Sequence, residues 1–146
     1  MPAPIPEGFA TLTPNMIVDG AAKAIELYTK AFGAKEMYKM ADPSGKIMHA
    51  CIQIGTSKVF LADTNPQMSA NTASFYVYIN DVDAAFRQAT QAGLKETMAV
   101  QDMFWGDRVG SVQDAFGNKW MLATHKRDVS PEEMEEARKK MCAKAA

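Results

Sequence analysis

Two histidines and two cysteines are the side chains of this sequence best suited to proton transfer or nucleophilic attack. His49 and Cys51 stand two apart in "IMHACIQI", so an extended backbone turns both to one face. An imidazole there titrates near neutrality and suits a general acid or base. Its structural alternative is a hydrogen bond to a neighbouring strand or loop. Cys51 becomes a nucleophile only where His49 or Arg108 lowers its pKa; a strand cysteine is otherwise a small, inert hydrophobe. Neither Cys51 nor Cys142 belongs to a C-x-x-C pair, so two reduced thiols are expected rather than a zinc knuckle or a disulfide framework. The stretch "MFWGDRVG" adds aromatic surface at Phe104 and Trp105 and two charges at Asp107 and Arg108. Adjacent strand residues face opposite ways, so one of those two charges enters any cleft the strand borders. Arg108 is the candidate anchor for a ligand, with Trp105 as its stacking platform. The alternative is a tryptophan plugging the core and an ion pair fixing the strand.

The elements that must carry these residues follow from pattern and punctuation. "ATLTPNMIV" (10 to 18) reads as a strand, and "GAAKAIELYTKAFG" (20 to 33) as a helix ended by Gly33. Strands follow at 35 to 41, 46 to 54 and 58 to 63, separated by "DPSG" and "GTS". A polar linker, "TNPQMSANT" (64 to 72), leads to a second series. That series has a strand at 73 to 79, a helix at 81 to 93 with Asp81 as N-cap, and strands at "LKETMAVQ", "DRVGSVQ" and "NKWMLATH". Ser130 and Pro131 open a last helix over about 131 to 144. Its residues Met134, Ala137 and Met141 share one side, suited to packing on this domain or on a twin subunit.

The order strand, helix, three strands therefore occurs twice, over about 10 to 63 and about 73 to 125. The sequence repeats with it: "TSKVFLADT" at 56 and "GNKWMLATH" at 117 align at a spacing of 61, as do Ala24 with Ala85 and Thr29 with Thr90. The fold class expected is α+β, a single domain of two βαβββ modules whose sheets curl around a cleft with the helices outside. "DAFGN" reads as a turn on Gly117 rather than as a phosphate loop.

Alternation along the strands assigns faces. Phe75, Val77 and Ile79 form an apolar side for helices to cover, leaving Ser74, Tyr76 and Tyr78 for the cleft. His49, Cys51 and Gln53 likewise oppose Ala50, Ile52 and Ile54. Thr13, Asn15, Phe60, Met121 and, at the end of its strand, His125 join the cleft side, whereas Trp120 falls in the core. Such a cleft is aromatic, rich in thioether and sparsely polar.

Bulk properties narrow the partners. Sixteen basic and seventeen acidic residues, intermixed along the chain, give a net charge of −1 and no electrostatic reason to expect nucleic acid or an anionic membrane. No apolar run has the length of a membrane span, and "MPAPIPEGF" lacks the features of a signal peptide, so a cytoplasmic location is expected.

The duplication, with "AIELYTKAFGAKE", "MFWGDRVGSVQDAFGNKW" and "THKRDVSPEEM", resembles the vicinal oxygen chelate superfamily of glyoxalase I, bleomycin-resistance proteins and extradiol dioxygenases. It is most similar to the PhnB-like branch, over about Leu12 to Met134. Ala115 and Val109 depart from that branch, which has proline and tyrosine there, and Cys51 stands where a glutamate is frequent. The resemblance implies a homodimer. It also implies metal-ligand positions at Thr13, Phe60, Ser74 and Met121, none of which suits a hard or borderline cation. No cofactor is therefore expected. Three functions remain: a bleomycin-resistance-like protein binding a small, partly aromatic molecule; a metal-independent enzyme with His49 as acid or base and Arg108 or Gln53 steadying an anion; and a metal-dependent lyase, isomerase or dioxygenase, which the ligand positions disfavour. Binding leads.

Overall fold

A computed structural model describes residues 1–145. The first module runs β1 (Asn15–Val18), α1 (Ala21–Phe32), β2 (Lys35–Ala41), β3 (Ile47–Ile54) and β4 (Ser57–Asp63). The second runs β5 (Ser74–Tyr78), α2 (Val82–Gln91), β6 (Lys95–Asp102), β7 (Asp107–Gln113) and β8 (Lys119–His125), and α3 (Pro131–Ala145) follows. The result is an α+β protein with two four-stranded mixed sheets, ordered β1-β4-β3-β2 and β5-β8-β7-β6. In each sheet the first strand lies parallel to the fourth, and the other pairings are antiparallel.

The register displays the duplication. Asn15 pairs with Phe60 in the first sheet and Tyr76 with Met121 in the second, the same two places in each module. Lys35 pairs with Gln53, and Lys95 with Gln113. β1 is shorter than the sequence pattern suggests. Pro14 has no amide hydrogen to give a ladder, so β1 starts only at Asn15, although the Pro14 carbonyl still accepts from the Phe60 amide at 2.9 Å.

Capping explains the helix ends. Gly20 has no side chain to cap α1, and the Asp63 carboxylate at the end of β4 takes that role, accepting from the Gly20 and Ala21 amides at 2.9 and 2.8 Å. Gly33 ends the helix at φ 67°, and its amide donates to the Thr29 carbonyl. Asp81 caps α2 as its position implies, accepting from the Ala84 amide at 3.1 Å. The linker is also structural: Asn71 accepts from the Ile17 amide and donates to the Asn15 carbonyl, satisfying the free edge of β1 in place of a neighbouring strand.

One core joins the two modules. Met16, Val18, Tyr28, Ile52 and Leu61 from the first cluster with Val82, Val112, Trp120 and Leu122 from the second. The Trp120 ring lies 5.0 Å from Tyr28, 4.6 Å from Phe32 and 4.6 Å from Phe75. A polar interlock sits inside this apolar layer, where Asp114 accepts from the Tyr28 hydroxyl and from Trp120 Nε1. Gly110 admits the Phe86 ring of α2; a Cβ there would lie 2.8 Å from it.

Two consequences bear on function. The sheet faces that carry helices are spent on the joint core, so the opposite faces, with Phe60 and His49 on one sheet and Tyr76 and Asp107 on the other, turn away from it. Among the described residues α3 packs on no other element and buries no side chain, so Met134, Ala137 and Met141 do not dock on their own domain.

Candidate functional site

The second sheet's free face holds the densest polar cluster. Strand pairing puts Tyr76 beside Met121, Met121 beside Ser111, and Asp107 beside His125, all on the face away from α2. Asp107 is 2% exposed, and each donor around it reaches its carboxylate. Oδ2 accepts from the Tyr76 hydroxyl at 2.7 Å, the Tyr78 hydroxyl at 2.9 Å and Trp105 Nε1 at 3.2 Å. Oδ1 lies 2.7 Å from His125 Nδ1. Trp105 Nε1 also lies 3.0 Å from the Tyr76 oxygen, closing the network.

The electrostatics follow. Burial alone would raise the Asp107 carboxyl, but hydrogen bonds from His125, Tyr76, Tyr78 and Trp105 outweigh it and hold the group below the usual carboxylate range. Tyr76 is pushed up to about 12 by burial and by donating to Asp107. Tyr78 rises for the same donation in the first place. His125 is raised above the ordinary imidazole value, first by Asp128, 2.8 Å from Nε2, and then by Asp107. Each ring nitrogen thus faces a carboxylate, and the imidazolium form is favoured.

A strap positions Asp128. The Lys126 and Arg127 amides both donate to the Gly106 carbonyl, at 2.9 and 3.2 Å. Gly106 itself has φ 97°, and a Cβ there would lie 2.1 Å from the Arg127 carbonyl oxygen, so only glycine lets the strap settle.

The first sheet's free face is more apolar. His49 Nε2 lies 2.9 Å from the Tyr38 hydroxyl, and its ring is 4.8 Å from Phe60. Phe9 covers Phe60 at 5.8 Å, with Lys58 Nζ 5.1 Å above the Phe9 ring. Cys51 is fully buried beneath this group, and burial pushes its thiol up, which fits an inert residue. Gln53 donates to the Gly55 carbonyl at 2.9 Å and steadies its own hairpin.

The expected site residues therefore separate into two groups. Ser74, Tyr76, Tyr78, Trp105 and Met121 belong to the second sheet's side; Asn15, His49, Gln53 and Phe60 belong to the first. Thr13, Tyr76 and Tyr78 meet again in a hollow of about 720 Å³ beside the outer edge of β5, walled by residues 8–14 and the β3–β4 turn. Arg108 lies on the helix side of β7, where Asp83 of α2 takes its Nε at 2.9 Å and Asp102 its Nη1 at 3.3 Å. Of the adjacent pair it is Asp107 that joins the aromatics. Alternation put the two charges on opposite faces, and the expected anchor, Arg108, is the one the helix side takes; the i, i+18 relation between Asp107 and His125 had no local signal.

Donor chemistry also bears on a family metal. The register makes Asn15, Phe60, Tyr76 and Met121 the paired positions of the first and fourth strands, instead of Thr13 and Ser74 with the same two partners. An amide, a phenyl ring, a phenol already donating to Asp107 and a thioether do not suit a divalent ion. Among the described residues no three His, Cys, Asp or Glu side chains converge as a metal centre.

Comparison with known proteins agrees with this architecture. Residues 10–122 match the model of the glyoxalase/bleomycin resistance protein/dioxygenase superfamily. An uncharacterized protein of Mycobacterium tuberculosis, Rv0887c, is 37% identical over 137 residues, spanning 86% of this chain and 81% of its own. The crystal structure of TioX from Micromonospora sp. ML1 is similar at a TM-score of 0.70 and 24% identity, over 80% of this chain and 98% of that one. A PhnB protein from Bacillus cereus, described as a putative 3-demethylubiquinone-9 3-methyltransferase, is similar at a TM-score of 0.65 and 18% identity, over 79% of this chain and 99% of that one. These two likenesses concern the fold alone. The duplicated modules, their register and the family match together make the chain a member of the glyoxalase/bleomycin resistance protein/dioxygenase superfamily.

Proposed function

We propose that this protein binds a small, partly aromatic molecule on the free face of its second sheet, without a metal. One observation carries the reading. Tyr76, Tyr78 and Trp105 all fix their polar atoms on buried Asp107 while their rings stay at least partly open to solvent, Tyr78 by 63%. Rings locked in this way lose little freedom when a planar group stacks on them, which is how preorganised sites gain affinity. The neighbouring hollow, which Tyr76 and Tyr78 also wall, gives room for the rest of the molecule.

A second copy of the chain completes the cleft in this proposal. Tyr38, Met40 and Met48 are exposed large side chains on the first sheet, and a partner's second sheet would cover such a surface. No helix among the described residues is long and apolar enough to cross a membrane; two free thiols fit the cytoplasm.

The test is a titration with small aromatic compounds, read by indole fluorescence and tyrosine ring NMR. Trp105→Ala and Tyr78→Ala should each weaken binding roughly tenfold, the scale of one lost stacking contact. Binding that is indifferent to both substitutions would move the site elsewhere. A second reading, proton transfer by His49, draws on its exposed hydrogen bond to Tyr38. His49→Ala with unchanged ligand affinity and lost turnover would favour it.

A further inference from the structure

We infer that His125 Nε2 is an anion-recognition point at which a carboxylate of the bound molecule displaces the side chain of Asp128. The inference rests on the aromatic binding proposed above and specifies the polar half of that ligand.

Three features of the geometry lead there. The inner nitrogen of His125 is committed: Nδ1 meets Asp107 Oδ1 at 2.7 Å, and Asp107 is buried and held by Tyr76, Tyr78 and Trp105. The imidazole is thereby fixed in orientation, with Nε2 directed outward to exposed Asp128, on the same carboxylate that holds the aromatic side chains. The outer nitrogen is held differently. Asp128 is fully exposed and makes this one side-chain hydrogen bond, at 2.8 Å. An exposed carboxylate loses little on returning to water, so the pair is replaceable.

The strap allows the exchange without refolding. Its backbone is anchored on both sides of Asp128, by the Lys126 and Arg127 amides on the Gly106 carbonyl and by Ser130 at the start of α3. Rotation about the Asp128 side-chain torsions alone frees Nε2. The neighbouring Arg127 is paired with Glu133 at 2.9 Å.

Charge selects the anion. Asp107 and Asp128 both face His125, and their two negative charges repel a multiply charged phosphate from a site with one imidazolium. A single carboxylate takes the place of Asp128 at Nε2, so that nitrogen still faces one negative group, whereas a phosphate would bring at least as much charge in a larger group. The ligand class is therefore an aromatic monocarboxylate, its ring over Tyr76, Tyr78 or Trp105 and its carboxylate on Nε2.

Asp128→Asn is the decisive variant, because a fully exposed side chain can be changed without loss of fold. Benzoate and the neutral benzyl alcohol are titrated into wild type and variant, following the His125 ring nitrogens and the Trp105 indole by NMR. Benzoate should shift His125 Nε2 and bind the variant about threefold more tightly, the fold-change that loss of one exposed ion pair allows. Benzyl alcohol should bind both proteins alike. Equal benzoate affinity in the two proteins, or an equal gain for benzyl alcohol, would overturn the exchange while leaving aromatic binding intact. If neither compound perturbs Trp105 in either protein, the binding reading falls and this inference falls with it.

Discussion

His125 Nδ1 lies 2.7 Å from Asp107 Oδ1, joining the last residue of β8 to the first of β7 across directly paired strand positions. The relationship ties a solvent-accessible imidazole to a carboxylate that sees almost no water. It also makes the site sensitive to pH in a defined direction. His125 is raised in the folded protein, so its contribution to stability is complete below the ordinary imidazole pKa, about 6.5, and disappears as pH rises through the raised value. Asp107 is lowered, so its contribution is present above the ordinary carboxylate range and is lost as pH falls through the lowered value. In an NMR titration His125 should lose its proton above the ordinary imidazole range. Asp107→Asn should bring that titration to lower pH and cost about 2 kcal/mol in urea unfolding, since it takes charge-assisted hydrogen bonds from Tyr76, Tyr78 and Trp105. An unmoved titration would mean that Asp107 does not govern the imidazole.

Gly106→Ala should act on the same imidazole from a distance. The added methyl meets the Arg127 carbonyl and the backbone is held at a positive φ, so the strap must lift. Stability should fall by about 2 kcal/mol or more, and the part of the His125 shift that comes from Asp128 should vanish. A variant with wild-type stability and an unchanged His125 titration would contradict this account of the strap.

The interlock between modules makes a separate prediction. Tyr28→Phe removes one donor from Asp114, which keeps Trp120 Nε1 and the Phe116 and Asn118 amides, and should cost about 1 kcal/mol. Asp114→Ala leaves all of those donors without their acceptor, in a buried site, and should cost about 3 kcal/mol. Chemical denaturation monitored by Trp120 fluorescence separates the two; equal losses would place the energy in packing rather than in the carboxylate.

Assembly can be read in solution. Tyr38→Glu together with Met40→Glu puts two charges on the exposed first sheet without touching the core. If two copies pair through that face, analytical ultracentrifugation should find a dimer for wild type and a monomer for the variant. A wild-type monomer would remove the shared cleft from the functional model.

Much of the fold was legible because periodicity and punctuation are local. β2 and β7 have the bounds that their alternation indicates, and Asp81 and Gly33 end helices where their types imply. β1 was over-read: the apolar pattern continues through Leu12, but Pro14 interrupts the ladder. The site was legible only in part. Alternation sent Tyr76, Tyr78 and His125 to one side of their sheet, and the two charges after Gly106 to opposite sides. Which of those charges met the aromatics depended on Asp83 capturing Arg108 from α2, a contact 25 residues away that no local spacing encodes. Thr13 and Ser74, the ligand positions the family implies, do not pair with Phe60 and Met121, because a strand pattern gives facing without giving pairing.

Tyr28 and Asp114 meet across the duplication; the counterpart of Tyr28 at the spacing of 61 is Ala89, and that of Asp114, which follows Gln113 as Ile54 follows Gln53 in the matching register, is Ile54, an apolar pair. The interlock therefore exists in one direction only. A symmetric pair built from two first halves would bury two tyrosine hydroxyls with no carboxylate to receive them, and one built from two second halves would strand two carboxylates. Once this contact arose, the halves ceased to be interchangeable, and a chain that began as a repetition became an obligate union of unlike parts.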